Sequence, residues 1–165
     1  MAAGYGIWTS SVENTNPKAI LDTPSNEMQA AVSADGRRMA YASDQSGRYE
    51  IYVQDFPSGG QRTLVSTNGG MQPQWRKDGR ELYYIQPDGS LMQVSFGADT
   101  RFDAAAPKVL FKTEIPTMLN PYRMDYMPAA DGQRFLMKVR VDEAPPAITV
   151  VLDWPALLRG IETPK

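Results

Sequence analysis

Tyr122, Arg123 and Asp125 place a phenol, a guanidinium and a carboxylate side by side in the segment NPYRMDY. Together they can hold a ligand by stacking, by ion pairing and by accepting hydrogen bonds. The bland alternative is a packed loop with an internal Arg123–Asp125 interaction. A second polar set lies earlier: Glu27 and Gln29 flank Met28, and Gln72 follows Met71, with the two glutamines 43 positions apart. A carboxylate and two amides in those places bind water, an ion or a polar ligand, or else cap the ends of strands. Recognition is the chemistry these sets offer. The chain has no histidine and no cysteine. Histidine is the usual general base at neutral pH, so a Ser-His-Asp relay cannot be assembled from this chain. Cys/His zinc sites are equally impossible. The aspartates form no D-x-D-x-D-G calcium loop, and there is no G-x-S-x-G elbow. No catalytic residue, metal or cofactor is expected, and the chain is not read as an enzyme.

Composition sets wider bounds. With 165 residues, 42% hydrophobic and 22% charged, the chain reads as an ordinary globular protein of one domain. The formal net charge of −2 is spread along the sequence with no basic stripe, which argues against a nucleic-acid partner. No segment approaches the roughly 18 uninterrupted apolar residues that a membrane helix needs. The first residues lack the basic and apolar regions of a signal peptide. Nothing in the composition fixes a compartment.

The elements that must position these groups are read from a repeat. MQAAVSADGRRMAY begins at Met28, and MQPQWRKDGRELYY begins at Met71 with Met, Gln, Asp, Gly, Arg and Tyr in matching places. YGIWTSSV at Tyr5 matches YEIYVQDF at Tyr49, and ADGQRFLMKV from Ala130 is a weaker third copy. A period in the forties signals a repeat architecture. Asp35-Gly36, Asp78-Gly79 and Asp131-Gly132 each separate two runs rich in branched and aromatic residues, which predicts tight hairpins. The 13 scattered prolines and the lack of any long helix-period stretch leave an all-β chain. WPALLRG, from Trp154, is the one place where a terminal turn is expected. Four short strands per unit of about 43 residues is the pattern of a β-propeller blade.

The segment VSADGRRMAYASDQSGRYEIYVQDF resembles the TolB-type (WD40-like) propeller repeat. Ser33, Asp35-Gly36, Met39-Ala40-Tyr41, Ser43, Gly47 and Ile51-Tyr52-Val53 carry the match. The second copy keeps Asp78-Gly79, Leu82-Tyr83-Tyr84 and Gly89 but has Arg76 in place of the serine. The ending ITVVLDWPALL resembles the last strand of propellers fused behind bacterial serine/threonine kinases, although no kinase motif is present. This resemblance implies a sensory or protein-interaction module of a larger bacterial protein. If that parent is membrane-anchored, the module is periplasmic or extracytoplasmic. The alternatives left open are the propeller portion of a hydrolase or polysaccharide lyase, or an inactive fragment.

With strands labelled a to d from the channel outward, residues 1–24 read as half a blade (c and d), 25–66 and 67–111 as full blades, 112–158 as a blade lacking its outer strand, and 159–165 as a tail. About three and a half blades cannot close a ring, and open blade faces invite association. Either the chain is the C-terminal half of a longer propeller, or a homodimer closes a six-bladed ring. In that reading KAILD of one copy lies beside ITVVLDW of the other, and GIWTSSV is surplus. The Asp-Gly turns fall on one face of the ring. The d-to-a and b-to-c loops gather on the other, around the channel mouth. There the Asp-Gly spacing jumps from 43 to 53, so the extra length falls between Lys112 and Pro128. This loop-rich face, with Glu27, Gln29, Gln72, Tyr122, Arg123 and Asp125, is the expected site for a protein, peptide or small ligand. Trp8, Tyr52 and Trp75 are expected in the packing between blades.

Overall fold

The computed structural model describes residues 4–13, 16–97, 103–115 and 122–139. All regular structure among them is β. The strands are β1 (Ile7–Thr9), β2 (Lys18–Leu21), β3 (Glu27–Val32), β4 (Arg38–Ser43), β5 (Glu50–Asp55), β6 (Arg62–Leu64), β7 (Met71–Trp75), β8 (Glu81–Ile85), β9 (Ser90–Ser95), β10 (Lys108–Lys112), β11 (Tyr126–Pro128) and β12 (Phe135–Met137). They form two antiparallel four-stranded sheets in chain order, β3 to β6 and β7 to β10, flanked by the two-stranded sheets β1–β2 and β11–β12. This is the blade architecture that the repeat predicts. The expected last strand in ITVVLDW, the turn in WPALLRG and the joint between ITVVLDW and a partner's KAILD lie outside the described residues.

The sheets stack because alternate residues of each strand face opposite neighbours. On β4, Met39 and Tyr41 meet Leu21 and Ile7 of the first sheet, with Tyr52 beside them. Ala40 and Ala42, on the other side, join Ile51 and Val53 against Leu82, Tyr84 and Val94 of the next sheet. Tyr83, Ile85 and Leu91 then face Tyr126, Phe135 and Met137 of the last. Each blade interface is thus a separate core. Tyr41, Tyr83 and Tyr84 are 0–1% exposed, and burying an aromatic ring so completely contributes on the order of 2–3 kcal/mol. The second interface leaves no room at Gly70, where a Cβ would sit 2.8 Å from Ile51 Cγ1 and 2.9 Å from Tyr84 Cδ2.

The Asp-Gly segments form the tight hairpins expected, each built on a four-residue turn. Gly36 N–H donates to Ser33 C=O at 2.8 Å, while Ser33 N–H donates to Arg38 C=O at 2.8 Å. The same pairs recur at Arg76/Gly79/Glu81 and Ala129/Gly132/Arg134. Glycine therefore ends a four-residue turn at φ 69–70°, a left-handed backbone that only glycine takes without cost. The aspartate before it accepts from the N–H two residues on, at 3.1, 3.0 and 2.9 Å in the three copies. In the first turn the Ser33 hydroxyl also donates to Asp35. In the second, Arg76 takes over that task with two bonds to Asp78. The ion pair holds the Asp78 carboxyl down at about 2.

Two of the expected packing aromatics are confirmed and one is not. Tyr52 is buried and stacks on Tyr41, and Trp75 packs on Phe96 while its Nε1 donates to Ala31 C=O. Trp8 is 55% exposed. It occupies the place of Tyr52 in a half sheet that has no preceding neighbour among the described residues.

Candidate functional site

The site begins with an irregularity repeated in β3 and β7. Pairing with the next strand slips between Met28 and Ala31, and again between Met71 and Gln74. Such bulges re-aim a side chain. Here they hold Gln29 at φ 55° and Gln72 at φ 60°, the two left-handed non-glycine residues among those described. That backbone costs on the order of 1–2 kcal/mol for a residue with a Cβ. The hydrogen bonds it allows more than offset the cost.

Gln29 Oε1 accepts from the backbone N–H of Gln72 at 2.8 Å. Gln72 Oε1 accepts from the backbone N–H of Asp125 at 2.7 Å, and its Nε2 donates to Asp125 Oδ2 at 2.9 Å. The Tyr126 hydroxyl adds a bond to Gln72 C=O at 2.8 Å. Asp125 stands where the third copy would carry its glutamine, 53 positions after Gln72. Each blade thus braces the inner-strand backbone of the next through one side chain. Gln72 is 0% and Asp125 5% exposed, and a hydrogen bond with a charged partner is worth about 1.5–3 kcal/mol.

The loop before β11 folds back over this ladder. Gln29 Nε2 donates to Arg123 C=O at 2.9 Å. Tyr122 meets Tyr5 edge to face with ring centroids 6.0 Å apart, and a side-chain hydrogen bond with Tyr5 pushes the Tyr122 phenol up from its ordinary range. Arg123 lies 3.8 Å from Asp125 Oδ1, with its guanidinium half exposed above the buried carboxylate. A cleft of about 320 Å³ opens between the loop and the bulges, lined by Gln29, Ala30, Gln74, Tyr122, Arg123 and Met124.

The structure therefore brings five of the six expected residues together, in two layers. Gln29, Tyr122 and Arg123 line the cleft, while Gln72 and Asp125 lie beneath it and hold its floor. Glu27 is buried apart from the cleft wall. One of its oxygens accepts from Thr23 Oγ1, and the other has no protein partner. Sequence reasoning missed Gln74, Ala30 and Met124. The signal available was Gln74 itself, two residues after Gln72, which reaches the cleft because the bulge shifts the strand's alternation.

A second cleft, of about 460 Å³, is lined by residues including Arg48, Glu50, Ser66 and Thr67. The buried Glu50 carboxylate there accepts from the Ser66 hydroxyl and from Gly69 N–H at 3.0 Å, and pairs with Arg48 at 2.6 Å. These bonds pin the loop into β7. The equivalent place in the next blade is Ser90, so comparing the repeats gives no hint of this role. Among the described residues no three acidic groups gather as a metal site, and no helix is long and apolar enough to cross a membrane.

No family profile matches the chain. Among curated proteins it is 32% identical over 68 residues to the Tol-Pal system protein TolB of Nitrosococcus oceani, a match covering 41% of this chain and 16% of that protein. The chain thus spans about a sixth of that relative. Among solved structures it is similar to the β-propeller domain of the trilobed protease from Pyrococcus furiosus, with 17% identity, a TM-score of 0.47, and 63% of this chain and 34% of that one covered. It is also similar to TolB from Acinetobacter baumannii, with 18% identity, a TM-score of 0.43, and 81% and 42% covered. The repeated strand quartets and their turns are those of β-propeller blades, and over 68 residues their sequence is similar to that of a TolB protein.

Proposed function

We propose that the chain is a non-catalytic binding and scaffold module that takes a protein segment, peptide or small ligand at the cleft of the channel mouth. The observation that carries this reading is the cleft lining. It combines a half-exposed guanidinium, an exposed phenol, two amides and a thioether, set on a braced floor. Groups of this kind recognise a ligand by stacking, ion pairing and hydrogen bonding. None of them is a nucleophile paired with a base, as covalent catalysis would require. The module serves as the sensory or protein-interaction part of a larger bacterial protein, of which a receptor-like kinase is the type suggested by kinship. A homodimer that closes the ring is the assembly that goes with this reading.

The test is a panel of short peptides and small carboxylates followed by amide NMR. Binding is expected to shift the signals of Gln29, Ala30, Gln74 and residues 122–124, and to be lost in Arg123→Ala and Tyr122→Ala. Shifts elsewhere, or chemical turnover of a probe, overturn it.

A further inference from the structure

We infer that the ligand of the cleft is an acidic peptide, with a carboxylate on Arg123, the adjoining peptide group on Gln74 and an apolar side chain beside Met124. The inference rests on the cleft being the binding site, as proposed above, and names what that site takes.

The first observation is the charge of the lining. Among the described residues that line the cleft, Arg123 alone is charged. Its ionic partner Asp125 does not cancel that charge outward. The Asp125 carboxylate is buried and accepts from Gln72 Nε2 at 2.9 Å. The guanidinium stands 3.8 Å from it, beyond hydrogen-bond length. Attraction from below therefore orients the cation and leaves its N–H donors for an occupant. A ligand arriving from solvent meets the positive end of this pair first. An arginine fork takes a carboxylate through two parallel bonds, and such charge-assisted bonds are stronger than neutral ones.

The second is preorganisation. Gln29 Nε2 donates to Arg123 C=O at 2.9 Å, and two residues on the Asp125 N–H donates to Gln72 Oε1 at 2.7 Å. The backbone that carries the cation is thus tied to two earlier blades before any ligand arrives. That lowers the ordering cost of binding.

The third is what lies around the cation. Gln74 enters the cleft from β7, and among the described residues its carboxamide makes no hydrogen bond. A carboxamide sets an acceptor beside its donors, the complement of a peptide group. Met124 is exposed next to Arg123, and the exposed rings of Tyr122 and Tyr5 meet close by. An apolar side chain next to the carboxylate covers this surface, to which a thioether adapts readily. At about 320 Å³ the cleft is at the small end of ligand pockets, which run from about 300 to 1,000 Å³. It therefore suits a short segment and not a folded surface. The carboxylate comes from an acidic side chain or from a C-terminus, and the chemistry at Arg123 is the same for both.

Three probes test this by amide NMR titration and calorimetry. They are acetyl-glutamyl-phenylalanine amide, its neutral isostere acetyl-glutaminyl-phenylalanine amide, and acetyl-glutaminyl-phenylalanine with a free C-terminus. At least one acid is expected to bind about tenfold tighter than the neutral isostere or better, and whichever does so names the source of the carboxylate. Added salt should weaken the acid and spare the isostere. Arg123→Gln, at a side chain 47% exposed, is expected to stay folded by circular dichroism and to bind all three probes equally. Arg123→Lys keeps the charge without the fork and should retain only part of the preference. Equal binding of acids and isostere, with shifts at residues 122–124, overturns the inference and leaves the cleft a binding site. A preference for acids that survives Arg123→Gln also overturns it. So does the absence of any shift from the three probes, in which case the wider panel of small ligands still reports on the cleft itself.

Discussion

The two faces of the blade array use left-handed backbone in different ways. On the turn face the position belongs to Gly36, Gly79 and Gly132, and the aspartate beside each holds only its own turn. On the mouth face it is taken not only by glycines such as Gly47, Gly69 and Gly89 but also by Gln29 and Gln72, whose side chains reach the neighbouring blade. Glycine removes a local cost. Glutamine accepts that cost and gains contacts between blades. A repeated residue can therefore build a single unit or join two units, and the repeat pattern alone does not say which.

The largest test of this contrast is Gln72→Ala. It leaves the buried Asp125 N–H without an acceptor and removes the donor to the Asp125 carboxylate. A loss of about 2–4 kcal/mol is expected in urea unfolding. Gly36→Ala and Gly79→Ala come next. A Cβ meets nothing within 4 Å at Gly36 and only an ordinary 3.7 Å contact at Gly79. Their cost is therefore the backbone term alone, about 1–2 kcal/mol. If Gln72→Ala loses no more than these, the glutamine is not joining blades.

The smallest effect is Asp78→Asn, expected to change stability at neutral pH by less than about 0.5 kcal/mol because the pair is partly exposed. Its signature lies in acid. The folded carboxyl titrates at about 2 against an ordinary 3.8. Its contribution is present above the ordinary value and is lost as pH falls from about 4 to about 2. The asparagine variant should show a shallower fall in melting temperature over that window.

The blades were legible because their causes are local. Asp-Gly pairs and branched runs mark strands and turns whatever surrounds them. The turn type was not legible, because Asp-Gly serves both the two-residue hairpin and the end of a longer turn. Only the bond from Gly36 N–H to Ser33 C=O separates the two. The mouth was legible through the jump in spacing and the repeated glutamines. Their positive φ was not, since glutamine carries no mark of such a backbone. Trp8 was misplaced because its role depends on a neighbour that its own half sheet does not supply. Glu50 left no trace at all, being unrepeated and set in an unremarkable strand start.

The alternation on β4 and β8 gives each interface its own private set of residues, shared only between adjacent units. Another quartet could be inserted into the array without disturbing any contact already made, provided its two flanks matched the ends it met. Duplication of a gene segment can lengthen such a chain without redesigning the older parts, and the circumference of the assembly becomes a matter of counting.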